Sequence, residues 1–303
     1  MATILEPEAG VARRLSARKI AWLRFMRSRP GVLGAAIVLG LVIVAFLAPF
    51  LAPYDPSSVF YLLHHQPQQG HPWGLDIVGR DILSRMIWGS RTALYVGMGS
   101  ALIMGLLGIC IGAISGYRGG RIDEILMRFT DVFLVIPFLL VVMFAIKLVN
   151  IELPNSIFAA VQGFTLTVIT LLLGLFGWPA IARLVRGEFL KFKEFEFVEA
   201  ARCLGKSDRG IIFRHILPNA IPPVVVALTA AIGNSILFES ALSFLGLGDS
   251  TVVSWGYQLY LSQQQMPFNW WEQAFPGLMI FLAVLGFNIL GDGLNDALNP
   301  RLR

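Results

Sequence analysis

Charge is scarce in this sequence. Of its 303 residues, 14% are Asp, Glu, Lys or Arg and 56% are hydrophobic, which is the composition of an integral membrane protein. The net charge is +5, but a basic surplus in the loops of a membrane protein sets its orientation and needs no nucleic acid to explain it. The sequence also lacks a soluble basic domain with interleaved aromatic residues. We therefore predict no nucleic-acid partner.

Cysteine is nearly absent, and patterns of metal ligands are missing. Cys110 lies in an apolar run and Cys203 in a charged one, so we expect no disulfide between them. His64, His65 and His71 share one polar segment, but nothing places three ligands at the spacing of a zinc site. We interpret them as solvated loop histidines, and we predict neither a metal site nor any cofactor in this chain.

The sequence also lacks a nucleotide-binding motif and a catalytic constellation. Gly205, Lys206 and Ser207 look like the end of a P-loop, but the first glycine of that motif would fall at Ala200, and no strand precedes it. No Ser/His/Asp or Cys/His arrangement can be assigned to one aqueous face. We therefore predict that the chain is not an enzyme and that any energy from ATP must come from a partner.

Most of the sequence consists of long uncharged, apolar runs. A helix that spans a membrane needs about 20 such residues. We predict an all-α integral membrane protein with about six transmembrane helices. The third span is the shortest, because only Val132 to Ile146 is free of charge, and Pro137 within it predicts a kink or a break. The predicted parts are a basic tail over residues 1–30, a first span over 31–53, an outer loop over 54–91, a five-helix core over 92–297 and a tail over 298–303.

Amphipathic and aromatic patterns favour two features at the outer side. Apolar residues between Gly79 and Ile87 recur at i, i+1, i+4 and i+5, which predicts a helix lying in the membrane interface with Asp81 and Arg85 facing water. The segment 242–275 contains no Lys or Arg and predicts an outer aromatic belt. The belt residues would be Trp255, Trp270 and Trp271.

The distribution of basic residues predicts the orientation. The first thirty residues and the segment 187–217, called here the charged segment, are rich in Lys and Arg. The segments 151–160 and 242–275 have none, so we expect both termini and the charged segment in the cytoplasm of a multi-pass protein of the plasma (inner) membrane. The lipid bilayer is then a partner, and the basic tail is expected to lie against anionic headgroups.

Two intramembrane features each have a structural and a functional interpretation. Gly108, Gly112 and Gly116 form a stripe of small residues, which favours close helix packing over a role in a pore. Glu239 lies near the end of the fifth span, where an acid is costly unless it faces protein or water. It is either a polar position at the outer mouth of a transport pathway or an interfacial acid hydrogen-bonded near Ser240 and Ser243.

The charged segment has an internal pattern of two short helices joined by a turn. Ser207 is a candidate N-cap, and Gly205 lies where the chain must turn with a positive φ. The second helix carries an apolar face that includes Ile211 and Ile216. An elbow of this kind, with an apolar face on the water side, is a shape suited to docking another protein.

This segment resembles the cytoplasmic EAA loop of ABC-importer permeases. The family pattern is Glu-Ala-Ala, three residues, Gly, nine residues, then Ile-x-Leu-Pro, and His215 occupies the Ile position here. The resemblance implies that the loop is a coupling helix seated in a groove of a separate ATPase subunit; the alternative is an ordinary amphipathic loop. The coupling residues that it implies are Glu199, Ala200, Ala201, Gly205, His215, Leu217 and Pro218.

Further motifs resemble the dipeptide/oligopeptide branch of these permeases. They are Gly74-Leu75-Asp76, Gly79-Arg80-Asp81, Leu242 to Gly248 and the ending from Gly291. The resemblance implies a type I ABC importer permease fold that forms half of the pathway beside a second homologous permease. Two ATPase subunits would bind ATP and Mg, and an external binding protein would deliver di- or oligopeptides.

Another cargo and another class of transporter are the alternatives. Permeases for nickel or another small solute share these motifs. An ion-coupled secondary transporter would need acids or broken helices in paired positions within its spans, and these spans hold almost none.

Overall fold

The computed structural model describes residues 17–61, 66–152, 162–263 and 269–298. His64, His65, most of the segment 151–160 and the two ends of the chain lie outside these ranges, and so do the predictions made for them. Within the described ranges the secondary structure is helical, with only three isolated β-bridges besides.

Twelve α-helices are formed by the described residues. In chain order they are α1 (Ala17–Arg27), α2 (Arg29–Phe46), α3 (Ala48–Leu51), α4 (Ile82–Arg118), α5 (Gly120–Val135), α6 (Phe138–Glu152), α7 (Phe164–Phe192), α8 (Glu196–Cys203), α9 (Asp208–Ile211), α10 (Leu217–Leu242), α11 (Trp255–Ser262) and α12 (Trp271–Leu298). Two π-helical turns, Ile212–Ile216 and Ser243–Leu247, flank α10. Five helices are long and apolar enough to span a membrane, and the bent pair α5–α6 makes a sixth candidate.

The break in the third span lies at the predicted proline. Ile136 ends α5 in an extended conformation (φ −68°, ψ 124°), because the residue before a proline is disfavoured in the α region. The chain then bends by 73° between Gly120–Val135 and Phe138–Leu148. The prediction of a break at Pro137 is therefore confirmed, and α6 continues in a new direction against α7.

The glycine stripe brings α4 and α7 to backbone contact. A Cβ added to Gly112 would lie 2.4 Å from the carbonyl oxygen of Ala182, and one added to Gly108 would lie 2.6 Å from Cβ of Ile181. Neither position can carry a side chain at this separation. The packing interpretation of the stripe is confirmed. A similar contact joins the first span to the last, since a Cβ on Gly34 would lie 2.4 Å from the backbone nitrogen of Leu290.

The bundle has two ends. The charged end carries α1, the α4–α5 turn and the charged segment. The cap end carries residues 54–81 and α11. Contacts across each end confirm the grouping: Tyr117 reaches Asp208 at the charged end, and Thr92 reaches the carbonyl of Val253 at the cap end.

The predicted interfacial helix at the cap end is the first part of a span. Asp81 caps α4 by accepting a hydrogen bond from the backbone N–H of Ser84 (2.8 Å), and the helix then runs without a break from Ile82 to Arg118. Asp81 and Arg85 are both buried, so the prediction that they face water is wrong. The period of the apolar residues identified the helix, but it could not reveal that the cap would cover its polar side.

The predicted aromatic belt is also mostly interior. Trp255 and Trp271 are buried, and only Trp270 is exposed. The indole N–H of Trp255 donates to the carbonyl of Met86 (2.9 Å), which joins α11 to the start of α4. A buried tryptophan with a bonded N–H is a packing residue.

A test of the α4–α7 contact follows from the glycine geometry. We expect Gly112→Leu to force the two helices apart and to lower the thermal stability of the detergent-solubilised chain, because overpacking costs about 1–3 kcal/mol. The matched control is Gly187→Leu on α7, where nothing lies within 4 Å of an added Cβ. Equal melting temperatures for the two variants would contradict the packing.

Candidate functional site

The charged segment folds as the predicted elbow. The helix α8 ends at Cys203, and Gly205 turns the chain with φ +71°. Ser207 then caps α9 by accepting from the backbone N–H of Gly210 (3.3 Å). The predictions for the glycine turn and the serine cap are confirmed. Both depend only on local chemistry, namely the freedom of glycine at positive φ and the orphan N–H groups of a helix start.

The apolar face of the second helix faces the bundle. Ile211 and Ile216 are buried, as are Val198 and Ala201 of α8, and they share one core cluster with Phe189 of α7. The interpretation of this face as a free docking surface is therefore wrong. Its role is to fasten the elbow to the membrane helices, because apolar area removed from water stabilises the contact.

Two further apolar side chains are the most exposed of their kind in the elbow. Leu204, just before the glycine turn, is 79% exposed, and Phe213 is 67% exposed. Neither residue was predicted from the sequence pattern to be exposed. The exposure of Phe213 could have been predicted, since Phe213 lies outside the apolar face of the helix that Ile211 and Ile216 define. We call these two exposed apolar residues, Leu204 and Phe213, the elbow patch.

The seven residues implied for coupling divide between two places. Glu199, Ala200 and Gly205 lie exposed on α8 and the turn, whereas Ala201 is buried against the bundle. The other three lie at or just before the start of α10. Pro218 is exposed, and Leu217 and His215 are half-buried. Their role in coupling stays a prediction.

Pro218 explains the π-helical turn before α10. A proline within a helix has no N–H to donate, and its ring clashes with the carbonyl four residues earlier. The helix widens over Ile212–Ile216, so that the N–H of Leu217 reaches the carbonyl of Ile212, five residues back. Asn219 compensates by donating its side-chain amide to the carbonyl of His215 (2.6 Å). Helix α10 is thereby continuous with α9.

Polar contacts connect the elbow to the neighbouring helices. The hydroxyl of Tyr117 on α4 donates to Asp208 (2.7 Å), and the guanidinium of Arg202 lies 5.9 Å from the centre of the Tyr117 ring. Arg186 on α7 donates through two nitrogens to the two carboxylate oxygens of Asp123 on α5 (both 2.6 Å). Bidentate arginine–carboxylate pairs fix orientation as well as distance. The first two contacts join the elbow to α4, and the arginine–carboxylate pair joins α7, which leads into the elbow, to α5.

The cap end is organised around buried charge. Asp76 accepts from the backbone N–H groups of Val78 and Arg80 (both 2.9 Å) and from the Arg80 side chain (2.8 Å). The side chain of Gln258 on α11 accepts from Arg85 (2.6 Å). These contacts give the two Gly-x-Asp motifs a structural role, because each buried charge has a partner.

One predicted loop histidine belongs to the same cap. His71 is buried, and its Nδ1 lies 2.9 Å from the carboxylate of Asp81, which also accepts from the Ser84 hydroxyl (2.6 Å). The interpretation of His71 as a solvated residue is therefore wrong. Within the described ranges, no group of three or more His, Cys, Asp or Glu residues could hold a metal ion.

Glu239 lies at the cap end of α10 and is 2% exposed. One carboxylate oxygen accepts from the hydroxyls of Ser243 and Ser254 (2.7 Å each), and the other lies 3.4 Å from the Ser240 hydroxyl. This is the hydrogen bonding that the structural alternative predicted. The role of Glu239 at the mouth of a pathway stays a prediction.

The family comparison agrees with this architecture. The family model for the inner membrane component of binding-protein-dependent transport systems matches residues 108–303. The chain belongs to this family. A second model, for the N-terminal transmembrane domain of oligopeptide transport permease C, matches residues 16–68. The chain is thus a membrane transport permease, as the EAA-like segment indicated.

Relatives resemble the chain over nearly its whole length. The glutathione transport permease GsiD of Pectobacterium atrosepticum is 38% identical over 93% of this chain and 90% of its own. Two Bacillus subtilis proteins match similarly. They are the oligopeptide permease OppC, 36% identical over 95% of this chain and 91% of its own, and the dipeptide permease DppC, 38% identical over 95% and 87%.

A solved structure supports the fold. A chain of the inward-facing MetNI methionine ABC transporter matches with a TM-score of 0.57 and 19% identity, over 72% of this chain and 98% of that chain. At this identity the match concerns the fold alone. The permease therefore has the type I ABC importer fold that the resemblance implied, with additional residues beyond the shared part.

The serine contacts of Glu239 generate a test. We expect Glu239→Gln to keep transport, because an amide oxygen can accept from Ser243 and Ser254 in the same way. Glu239→Leu, in contrast, should lose about 1–3 kcal/mol of stability by leaving these hydroxyls without an acceptor. Substrate uptake in proteoliposomes and thermal melting measure the two effects. A stable Glu239→Gln protein without uptake would instead place the carboxylate charge in the pathway.

Proposed function

We propose that this permease is one of two homologous subunits that form the pathway of an ATP-driven peptide importer. Two separate ATPase subunits, which bind ATP and Mg, would supply the energy, and an external binding protein would deliver the substrate. The observation that carries the proposal is the elbow patch: large apolar side chains in an otherwise charged turn, fastened to α4, α7 and α10. Exposed apolar residues of this size fit a protein partner.

The mechanism follows from the connections of the elbow. ATP-driven closure of the ATPases would displace α8 and α9, and the buried contacts of Ile211 and Ile216 would carry α10 with them. The Arg186–Asp123 pair would carry α5. Such rigid-body motion of helices would switch the pathway between inward- and outward-facing states. The elbow would lie in the cytoplasm, with both termini, in the plasma (inner) membrane.

The peptide substrate is supported by the relatives, whose names specify oligopeptide, dipeptide and glutathione transport. Nickel or another small solute is the alternative cargo. Identification by mass spectrometry of the ligand that co-purifies with the partner binding protein tests this part. A bound peptide supports the proposal, and a bound metal complex overturns the peptide assignment while leaving the importer mechanism intact.

The glycine turn gives a test of coupling. We expect Gly205→Val to abolish substrate-stimulated ATP hydrolysis by the assembled transporter, because a β-branched residue at φ +71° costs about 1–3 kcal/mol and would reshape the turn. Gly205→Asn is the matched control, since asparagine tolerates this region better. Nothing else lies within 4 Å of an added Cβ, so the cost comes from the local backbone conformation and not from contact with other parts of the chain. Normal coupling in the valine variant would refute the role of the elbow.

The elbow patch gives a second test, of docking. We expect Leu204→Glu and Phe213→Glu each to weaken co-purification of the ATPase subunits at least tenfold, because a charge in an apolar interface is costly to desolvate. The chain itself should fold normally, since both side chains are exposed. Leu204→Met is the control that keeps the apolar contact. Full ATPase recovery with both glutamate variants would exclude the patch as the docking surface.

A further inference from the structure

The helix α1 is separate from the first span and fixed to the bundle. Ser28 lies between α1 and α2 in an extended conformation (φ −77°, ψ 103°), and its hydroxyl caps α2 by accepting from the backbone N–H of Gly31 (3.2 Å). One side of α1 packs on α12: a Cβ added to Gly293 would lie 3.4 Å from the Phe25 ring, and one added to Gly31 would lie 3.2 Å from it. The chain thus ends one helix and starts another at the charged end.

The side of α1 next to Phe25 is apolar and exposed, and the Trp22 ring stacks on the Phe25 ring (6.4 Å between centroids). Trp22 is 62% exposed and Met26 52%, and Leu23 lies beside them. Trp22 and Met26 are at i and i+4 and therefore lie one turn apart on the same side of the helix, with Leu23 at its edge. In water this side would leave three large apolar residues uncovered. The next helix, which begins at Arg29, enters the bilayer, so α1 lies at the level where lipid headgroups begin.

The charged residues of α1 and of the start of α2 are all basic. Lys19, Arg24 and Arg27 lie on α1 and Arg29 begins α2, and no acidic residue occurs between Glu8 and Asp55. The side chains of Arg27 and Arg29 are exposed. A helix with apolar residues on one side and Lys or Arg beside them binds at the surface of an anionic bilayer.

We propose that α1 is an interfacial helix that binds anionic phospholipid headgroups through Arg27 and Arg29, while Trp22, Leu23 and Met26 enter the acyl-chain boundary. Because Phe25 fastens α1 to the ends of α2 and α12, this binding holds the charged end of that helix pair at a fixed depth in the membrane. The proposal is independent of the peptide substrate and of the ATPase partners. It requires only that α2 spans a bilayer.

The experiment places a probe on the exposed side of α1. The free cysteines Cys110 and Cys203 are replaced by alanine, and Leu23→Cys is labelled with an environment-sensitive fluorophore. The chain is reconstituted in nanodiscs of phosphatidylcholine, with or without phosphatidylglycerol, and quenching by brominated lipid is compared with quenching by aqueous iodide. We expect lipid quenching to rise at least twofold with phosphatidylglycerol. The double variant Arg27→Gln/Arg29→Gln should lose this increase.

The matched control is Arg118→Gln/Arg121→Gln, which removes two exposed cations from the α4–α5 turn at the same end of the bundle. It should keep the increase. Equal melting temperatures show that the variants fold alike. The proposal is overturned if lipid quenching does not depend on phosphatidylglycerol. It is also overturned if the probe stays open to iodide until ATPase subunits are added, since that result assigns the surface to a protein partner.

Discussion

Backbone contact between α4 and α7 is the constraint on which the charged end depends. The two helices can approach this closely only because Gly108 and Gly112 have no side chains. The approach continues to Gly116, where an added Cβ would lie 2.6 Å from Cβ of Phe189, near the end of α7. It also brings Arg186 within reach of Asp123, so the third span is held to the same pair. In a bilayer, where apolar residues gain little from leaving lipid, such close packing is the main source of helix association.

The cap end is held together differently, by buried charged residues and not by close packing of small residues. Asp76 and Asp81 each accept several hydrogen bonds from the chain around them, and Arg85 joins the cap to α11 through Gln258. Removing one member of such a network leaves its partners buried and unpaired, which costs more than the network contributes. The cap and α11 are therefore expected to behave as one unit.

Structural features that depend on one or two neighbouring residues were predictable from the sequence, whereas the burial of side chains was not. The turn at Gly205, the cap at Ser207 and the break at Pro137 all follow from the chemistry of one or two residues, and the structure has each of them. Family membership followed from a spaced motif. The errors concern which side of a helix is covered, because a hydrophobic period shows that two residues share a face but not what lies opposite. Asp81 and Ile211 were both misjudged for this reason.

The two arms of the elbow join the membrane domain in unlike ways. On one side, α8 follows α7 through a short non-helical link. On the other, residues Asp208–Leu247 form one nearly continuous rod of 40 residues, about 60 Å long at the rise of a helix. The π-helical turn at Ile212–Ile216 inserts one extra residue into the helix, and the helix continues through it. If a partner displaces the elbow, we expect the fifth span to tilt or rotate about its axis along its full length. Glu239 and the serines that bond it lie near the opposite end of this helix.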